Sequence, residues 1–417
     1  MFNHYSTVIK PKRTNFAACF QHGHATHPMA RHTPLPTAHY MLQTASLHII
    51  GYTLDVFFDY TLYIIIHMHT HHKAILASAL ALTALAPALA QSAGSPEGDP
   101  ATVNIHGTLR SKYEYQFDDN AGRFEVRTAR ISVDGKLSPV IEYKAEIDLC
   151  DEGKIKMLDA YTRLKPIKHL QLKAGQMRVP FTIDAHRSPH QQYFANRSFI
   201  AKQVGNVRDV GASLGYTFNV GFPVAIEAGL YNGSGLTNQK DFWTKSVNYS
   251  AKLQMMLPRG FNVTLSTQKI KPDACTVTMY DAGAYYHAHG WHIEAEYLYK
   301  HYANNAFDAV HAFDSFVSYD IPTGKGLVRY VTPLLRYDYM SDHSNGMRYK
   351  DGKEDASGCL MVNDSQRGRL TGGVTLSLKK PFVSDIRING EKYFYKSGGV
   401  PHVSEKDKLV VEVMTRF

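Results

Sequence analysis

The stretch Lys408-Leu-Val-Val-Glu-Val-Met-Thr-Arg-Phe417 alternates with a period of two. Leu409, Val411, Val413, Thr415 and Phe417 fall on one face, and Lys408, Val410, Glu412, Met414 and Arg416 fall on the other. A helix, with 3.6 residues per turn, would mix these sets; a strand keeps them apart because successive side chains point to opposite sides of the sheet. One face is apolar and ends in an aromatic ring, while the other carries charges of both signs. Such a strand asks whether the rest of the chain repeats the pattern.

It does, in sixteen segments. In the first, Val103, Ile105, Gly107, Leu109, Tyr113, Tyr115 and Phe117 alternate with Asn104, His106, Thr108, Arg110, Lys112, Glu114 and Gln116. The third sets Ile141, Tyr143, Ala145, Ile147 and Leu149 against Glu142, Lys144, Glu146 and Asp148. One face suits hydrocarbon and the other suits water. The remaining strands are placed near 123–136, 157–165, 168–177, 207–218, 222–231, 246–257, 260–268, 276–288, 290–300, 309–320, 327–340, 368–379, 384–395 and 406–417.

The connections give an independent test. Leu137-Ser138, Pro166-Ile167, Asn219 to Gly221, Pro258-Arg259, His289-Gly290, Ile321 to Gly326 and Lys380 to Val383 are short and rich in Pro, Gly and Asn, as tight turns require. Between them fall long connections, including Arg178 to Asn206, Asn232 to Lys245 and Ser341 to Arg367. This alternation predicts an all-β fold, a 16-stranded antiparallel transmembrane β-barrel with short periplasmic turns and long extracellular loops, surrounded by outer-membrane lipid. Tyr, at 26 residues, clusters at strand ends, as at Tyr285-Tyr286, Tyr297, Tyr299, Tyr302, Tyr337, Tyr339, Tyr393 and Tyr395. Together these suit interfacial girdles, although each alone fits the ordinary enrichment of aromatics in strands.

The first ninety residues stand apart. Met68-His-Thr-His-His-Lys73 precedes the apolar run Ala74 to Leu85 and then Ala88-Leu-Ala90, which supply a basic start, a short hydrophobic centre and a cleavage site. Residues 68–90 read as a signal peptide, residues 91–417 as the barrel domain, and the destination as the outer membrane of a Gram-negative bacterium. Residues 1–67 show no sustained period and read as a non-native, unstructured upstream extension. A membrane anchor at 49–66 is the competing reading, but that stretch is short for a span and contains Asp55 and Asp59.

After the leader, 41 Lys plus Arg face 35 Asp plus Glu, a formal charge of +6. Spread over alternating strands, this excess builds no basic stripe with interleaved aromatics, so nucleic acid is not an expected partner. No run of about 18 apolar residues follows the leader, which excludes a helical membrane protein. Cys150, Cys275 and Cys359 lack CxxC spacing, so neither a zinc site nor a disulfide scaffold is indicated, and no cofactor or metal is expected. At most one pair of these could bridge, and the sequence leaves open which.

Four blocks carry a family resemblance: Arg127-Thr-Ala-Arg130-Ile-Ser-Val-Asp-Gly135-Lys-Leu, Tyr143-Lys-Ala-Glu146, Leu158-Asp-Ala-Tyr161, and Leu172-Lys-Ala-Gly175-Gln-Met-Arg178-Val-Pro180-Phe181. With Arg208-Asp-Val-Gly211 they resemble, in order, the amino-terminal half of the phosphate-selective porin O and P family, over residues 123–214. Beyond this the likeness is one of strand character. Where the family often has paired arginines before Ala129, this chain has Arg127 and then Thr128. The resemblance implies a homotrimeric outer-membrane porin, a water-filled channel lined by arginines and lysines for passive diffusion of small hydrophilic solutes, anions such as phosphate among them. The Phe417 strand would be its handle for the barrel-assembly machinery.

Charge suggests where selectivity would arise. The water-facing sets carry Arg110, Lys112, Arg130, Lys136, Lys144, Arg163, Lys173, Arg336 and Arg387, opposed by Glu114, Asp134, Glu142, Glu146, Asp148, Asp159, Glu227, Glu294 and Asp338. The wall is therefore mixed. The third outer loop, residues 178–206, sets Arg178, Arg187, Arg197 and Lys202 against Asp184, with His186 and His190 nearby. A loop of that length can fold inward and narrow the lumen, where cations between low-dielectric walls favour anions. The candidate pore-lining and constriction residues are Arg110, Lys112, Arg127, Arg130, Lys136, Arg178, Arg187, Arg197 and Lys202. The plainer reading leaves the loop charges solvated on an exposed surface.

Three other functions compete. A non-selective general porin would share the architecture without the preference. A surface adhesin or occluded barrel would use Ser341 to Arg367, whose Asp342, Lys350, Asp351, Lys353, Glu354 and Asp355 read as solvated charge. An outer-membrane hydrolase would need a catalytic set, for which His287, His289 and His292 with Glu294 and Glu296 are the candidates. No G-x-S-x-G or H-E-x-x-H motif accompanies them, and no enzymatic role is expected.

Overall fold

Each strand of the computed structural model pairs antiparallel with its neighbour, and the last returns to the first. The structure describes residues 101–417 save 152–153, 205–206, 237–238, 272–274, 325, 343–364, 381, 398 and 400. The upstream and signal-peptide readings at 1–90, most of the outer loop from Ser341, and Cys359 lie outside the described residues. Cys150 and Cys275 do not bridge each other.

The strands are β1 (Asn104–Gln116), β2 (Ala121–Ser138), β3 (Ile141–Asp151), β4 (Lys154–Leu164), β5 (Leu170–Arg178), β6 (Arg208–Asn219), β7 (Pro223–Tyr231), β8 (Asn248–Met256) and β9 (Phe261–Ile270). They continue with β10 (Val277–Ala288), β11 (Trp291–Tyr302), β12 (Val310–Tyr319), β13 (Ile321–Pro322), β14 (Val328–Met340), β15 (Arg367–Leu378), β16 (Ser384–Tyr395) and β17 (Lys408–Arg416). The two-residue β13 continues β12 past Asp320 and pairs with the same partner, β14, so the wall has sixteen staves. Closure leaves no open edge, which is how a sheet satisfies its backbone in hydrocarbon.

The seam between β1 and β17 runs from Thr108 opposite Arg416 to Gln116 opposite Lys408. Along both strands the period of two becomes a division between outside and inside. Leu109 and Val413 are exposed on the outer surface, while Arg110, Lys112, Glu114 and Glu412 are buried inside. Exposed apolar side chains cover the outer face of many staves, among them Phe124, Ile131, Leu214, Ile226, Leu265, Ile293, Leu335 and Ile388.

The aromatics divide by the same parity. Trp291 packs on Tyr319 and Phe261 on Tyr286 beside the short turns, at centroid separations of 4.6 and 4.8 Å. Tyr297 and Tyr337 are also exposed on the outer face. Tyr302 and Tyr393 are buried within, and Tyr285 lines an internal cavity, so these three do not serve a girdle. Their even or odd place within the strand, rather than closeness to its end, decides the side. The turn expected at Leu137-Ser138 falls two residues later, at Pro139-Val140, because β2 runs to Ser138.

Inside, the end of the lumen away from the short turns holds an apolar cluster. Met279, Leu298, Val310 and Met340 point inward and are fully buried against Phe199 and Ile200 of the β5–β6 connection. Fully burying side chains of this size contributes roughly 1.5–3 kcal/mol each, so the connection is held by packing as well as by polar bonds.

Candidate functional site

The described residues between β5 and β6, 179–204 and 207, fold into the barrel. Arg178, where β5 ends, donates to the carbonyls of Ala185, His186 and Arg187 at 3.2, 3.0 and 2.9 Å, which turns the chain back on itself. Arg197 grips the same turn, donating to the carbonyls of Asp184 and Ala185 at 3.1 Å and of Arg187 at 3.0 Å. Ser198 caps the short helix α1 (Phe199–Gln203), accepting from Ala201 N, and donates through its hydroxyl to Asp184 Oδ2 at 2.7 Å.

Polar groups of seven strands then fasten the loop. Arg110 of β1 donates to Gln192 Oε1 at 2.6 Å and to the Ala195 carbonyl at 2.8 Å. Asn389 of β16 accepts from Ala195 N, and Glu391 of the same strand from Asn196. Asp338 of β14 accepts from Phe199 N at 3.1 Å, and Arg369 of β15 donates to the Arg197 carbonyl at 2.7 Å. On the other side Ser250 and Lys252 of β8 donate to the carbonyls of Pro180 and Thr182, and Ser266 of β9 accepts from Thr182 N. Glu296 of β11 accepts from the backbone of Ile183 and Asp184.

Charges in the loop are locked into this frame. Arg187 makes a two-pronged pair with Glu294, one prong at 2.7 Å, and lies over the Tyr193 ring at 5.2 Å. Burial would lower its pKa, but Glu294 holds it above the usual arginine range. Burial would raise the Asp184 carboxyl; Arg197, Arg187 and the Ser198 hydroxyl hold it below the usual carboxylate range. Burial, reinforced by Arg130 and Arg110 and opposed by Asp184, brings Arg197 down to about 10, which leaves it charged at neutral pH. Burial pushes the Tyr193 phenol up to about 12 against the pull of Arg187, so it stays a neutral partner to His292 Nδ1 at 3.0 Å.

Between the loop and the short-turn end lies a cavity of about 950 Å³. Its cations are Arg187, Lys252, Arg387 and Arg416; its carboxylates are Asp320 and Asp385. His186, His190, His287 and His292 also reach it, with a lining otherwise of amides, hydroxyls, two tyrosines and the aliphatic Ile183 and Leu334.

The structure distributes the nine sequence candidates among different tasks. Arg110 shares Glu412 with Arg387, at 2.6 Å from each. Lys112 pairs with Glu114 at 2.8 Å, and Arg130 with Asp148 at 3.0 Å. Arg127 is the extra residue of a bulge in β2 opposite Arg110 and Ser111; its side chain is 46% exposed, yet its charge reaches Arg110 and Arg197. Lys136 is exposed near the short-turn rim. Arg178 and Arg197 hold the loop together, Arg187 joins it to Glu294, and Lys202 pairs with Glu405 of the β16–β17 connection. Of the cavity cations the candidate set included only Arg187. Arg369, buried in a two-pronged pair with Asp338, and Lys252 were signalled only by the inward parity of Arg367-Gly-Arg369-Leu-Thr371 and of Ser250-Ala-Lys252. The hydrolase candidates His292 and Glu294 bond each other at 3.0 Å, with Glu294 committed to Arg187.

The family model described as phosphate-selective porin O and P matches residues 101–284, from β1 through the lumen loop into β10. This match covers less than half of the chain. No curated protein sequence matches the chain. Among solved structures, the barrel's fold is similar to the trimer form of OmpT of Vibrio cholerae, with 11% identity, a TM-score of 0.52 and coverage of 76% of this chain and 100% of that one. It is similar to an anion-selective porin from Comamonas acidovorans, with 12% identity, a TM-score of 0.51 and coverage of 76% and 100%. It is also similar to OprB of Pseudomonas putida, with 10% identity, a TM-score of 0.53 and coverage of 76% and 94%. Likeness at these identities concerns the sixteen-stranded fold alone.

Proposed function

We propose that this barrel is an outer-membrane porin that passes small hydrophilic solutes with a preference for anions, phosphate among them, by passive diffusion past the lumen loop. The observation that carries this reading is the cavity below the loop, where Arg187, Lys252, Arg387 and Arg416 outnumber Asp320 and Asp385. Fixed cations in a narrow aqueous passage between low-dielectric walls concentrate anions. The candidates Arg110, Lys112, Arg127, Arg130 and Lys136 line the wall in this reading, and Arg178, Arg187, Arg197 and Lys202 shape the constriction. A homotrimer, export by the leader at 68–90 and recognition of the Phe417 strand by the assembly machinery complete it, supported by the family and by the trimer form of the similar OmpT.

A second reading, a general porin of low selectivity, draws on the pairing of wall cations such as Arg130 and Lys112 with carboxylates. Reversal potentials of single channels in a potassium chloride gradient separate the two. A potential of the anion-selective sign, diminished by Arg416→Glu, supports the proposal; a value near zero or of the opposite sign refutes it.

A further inference from the structure

The cavity has two chemically different sides. From β15 to β17 and the adjoining loop, the lining offers donors in excess of acceptors. Thr375 and Arg387 stand directly opposite each other across β15 and β16, and both line the cavity. Thr375 Oγ1, Arg387 Nε and Gln192 Nε2 are buried and meet no hydrogen-bond partner among the described residues. Arg416 lies on the same side at the end of β17 and is exposed to the lumen. Among the described residues, Asp385, 3.9 Å from Arg387, is the one carboxylate within ion-pair reach of either arginine that also lines the cavity. Leaving buried donors unsatisfied costs about 1–3 kcal/mol each, so this side is built to receive acceptors.

From β8 to β12 the lining is different. Tyr285 stacks on His292 at a centroid separation of 5.5 Å, and Tyr193 stacks on the same ring at 4.5 Å. Gln254 donates to the Tyr285 hydroxyl at 3.3 Å, and Asn262 and Thr264 of β9 lie nearby in the lining. Aromatic faces flanked by amides and hydroxyls suit a ring that carries many hydroxyl groups.

We propose that this cavity is a binding site for phosphorylated sugars, with the phosphate against Thr375, Arg387 and Arg416 and the sugar ring against Tyr285 and Gln254. A phosphate monoester carries about −1.5 to −2 charge at neutral pH and three strong acceptor oxygens, which answers the donor side. Inorganic phosphate alone leaves the aromatic side unused. The volume, about 950 Å³, lies at the upper end of the roughly 300–1,000 Å³ found for sites that hold whole organic ligands. The inference rests on the anion-favouring reading of the lumen and names the solute class that the same cavity retains.

The test is calorimetric titration of the detergent-purified full-length porin with glucose 6-phosphate, glucose, inorganic phosphate and benzoate. The expected result is binding of glucose 6-phosphate about tenfold tighter than glucose or inorganic phosphate, as one additional charge-assisted or stacking contact supplies. Tyr285→Leu removes the preference for the sugar phosphate over inorganic phosphate, and Thr375→Val and Arg416→Gln each weaken both phosphates. Equal affinity for glucose and glucose 6-phosphate, tighter binding of benzoate, or a preference unchanged in Tyr285→Leu overturns the inference. Reversal potentials on the same preparation keep the two readings apart. Anion preference without sugar-phosphate preference removes this inference alone, whereas cation preference removes the reading beneath it.

Discussion

Gly107 and Phe417 exchange two backbone hydrogen bonds across the closing seam, at 3.0 and 3.2 Å, and the Phe417 ring occupies the space that a side chain on residue 107 would fill. The ring covers a glycine in the outer face of β1, and any Cβ there collides with it. Gly107→Val is therefore expected to lower the temperature at which the folded barrel unfolds, by an overpacking cost of about 1–3 kcal/mol. Replacing Phe417 by Ala in the Gly107→Val background should recover part of the loss. Gel mobility of heated and unheated samples reads both effects, and strictly additive losses in the double variant would contradict the account.

Arg187 and Glu294 form a pair in which Glu294 is 1% exposed. Breaking such a pair from one side leaves a buried charge, at about 3–5 kcal/mol. Glu294→Gln and Arg187→Met should each release the near half of the loop, giving noisier single-channel currents with wider conductance steps. The double variant Arg187→Met with Glu294→Met should be quieter than either. Unchanged current noise in the single variants would show that the pair does not restrain the loop.

Arg178 satisfies three loop carbonyls at once. Hydrogen bonds to a charged donor contribute roughly 1.5–3 kcal/mol each, so Arg178→Met should leave the turn at 184–187 open to a protease added to the purified barrel. The expected outcome is cleavage between β5 and β6 while the staves stay intact. Resistance equal to that of the parent would assign the turn's stability elsewhere.

Glu405 ties the β16–β17 connection to Lys202 and to Arg367, the latter at 2.5 Å. Burial pushes its carboxyl up, but Lys202 and Arg367 outweigh this and bring it down to about 2. A folded-state value below the ordinary glutamate value of about 4.3 contributes stability that is present above that pH and is lost as pH falls through about 2. Glu405→Gln should cost on the order of 3 kcal/mol at pH 7. The gap from the parent should then close between about pH 4 and pH 2. Thermal unfolding followed by circular dichroism at stepped pH checks this, and a gap independent of pH would count against it.

The wall was legible in the sequence because a bilayer imposes one rule on each stave: apolar outside, polar inside, with tight turns at one rim. Leu109 beside Arg110 and Val413 beside Glu412 announce their sides without knowledge of their neighbours. The interior was less legible, because which inward cation is paired depends on register across strands distant in the chain. Arg110 meets Glu412 across 302 residues, and Arg369 meets the loop carbonyl of Arg197 across 172. The inward Met279, Leu298 and Met340 depart from the polar-inside rule because Phe199 and Ile200 cover them, a contact invisible in the alternation of any one strand. Local charge counting placed the cations of loop 178–206 together, but three of the four turn inward onto backbone carbonyls or a wall carboxylate. The donors of the cavity come instead from β8, β16 and β17 as well as the loop.

Because polar groups of β1, β8, β9, β11, β14, β15 and β16 all grasp one loop, that loop works like the spokes of a wheel. A squeeze on one flank of the cylinder travels straight across to the other instead of round the rim. The bore and the roundness of the hoop are thus a single mechanical quantity, and slackening any one spoke alters the cross-section for every solute.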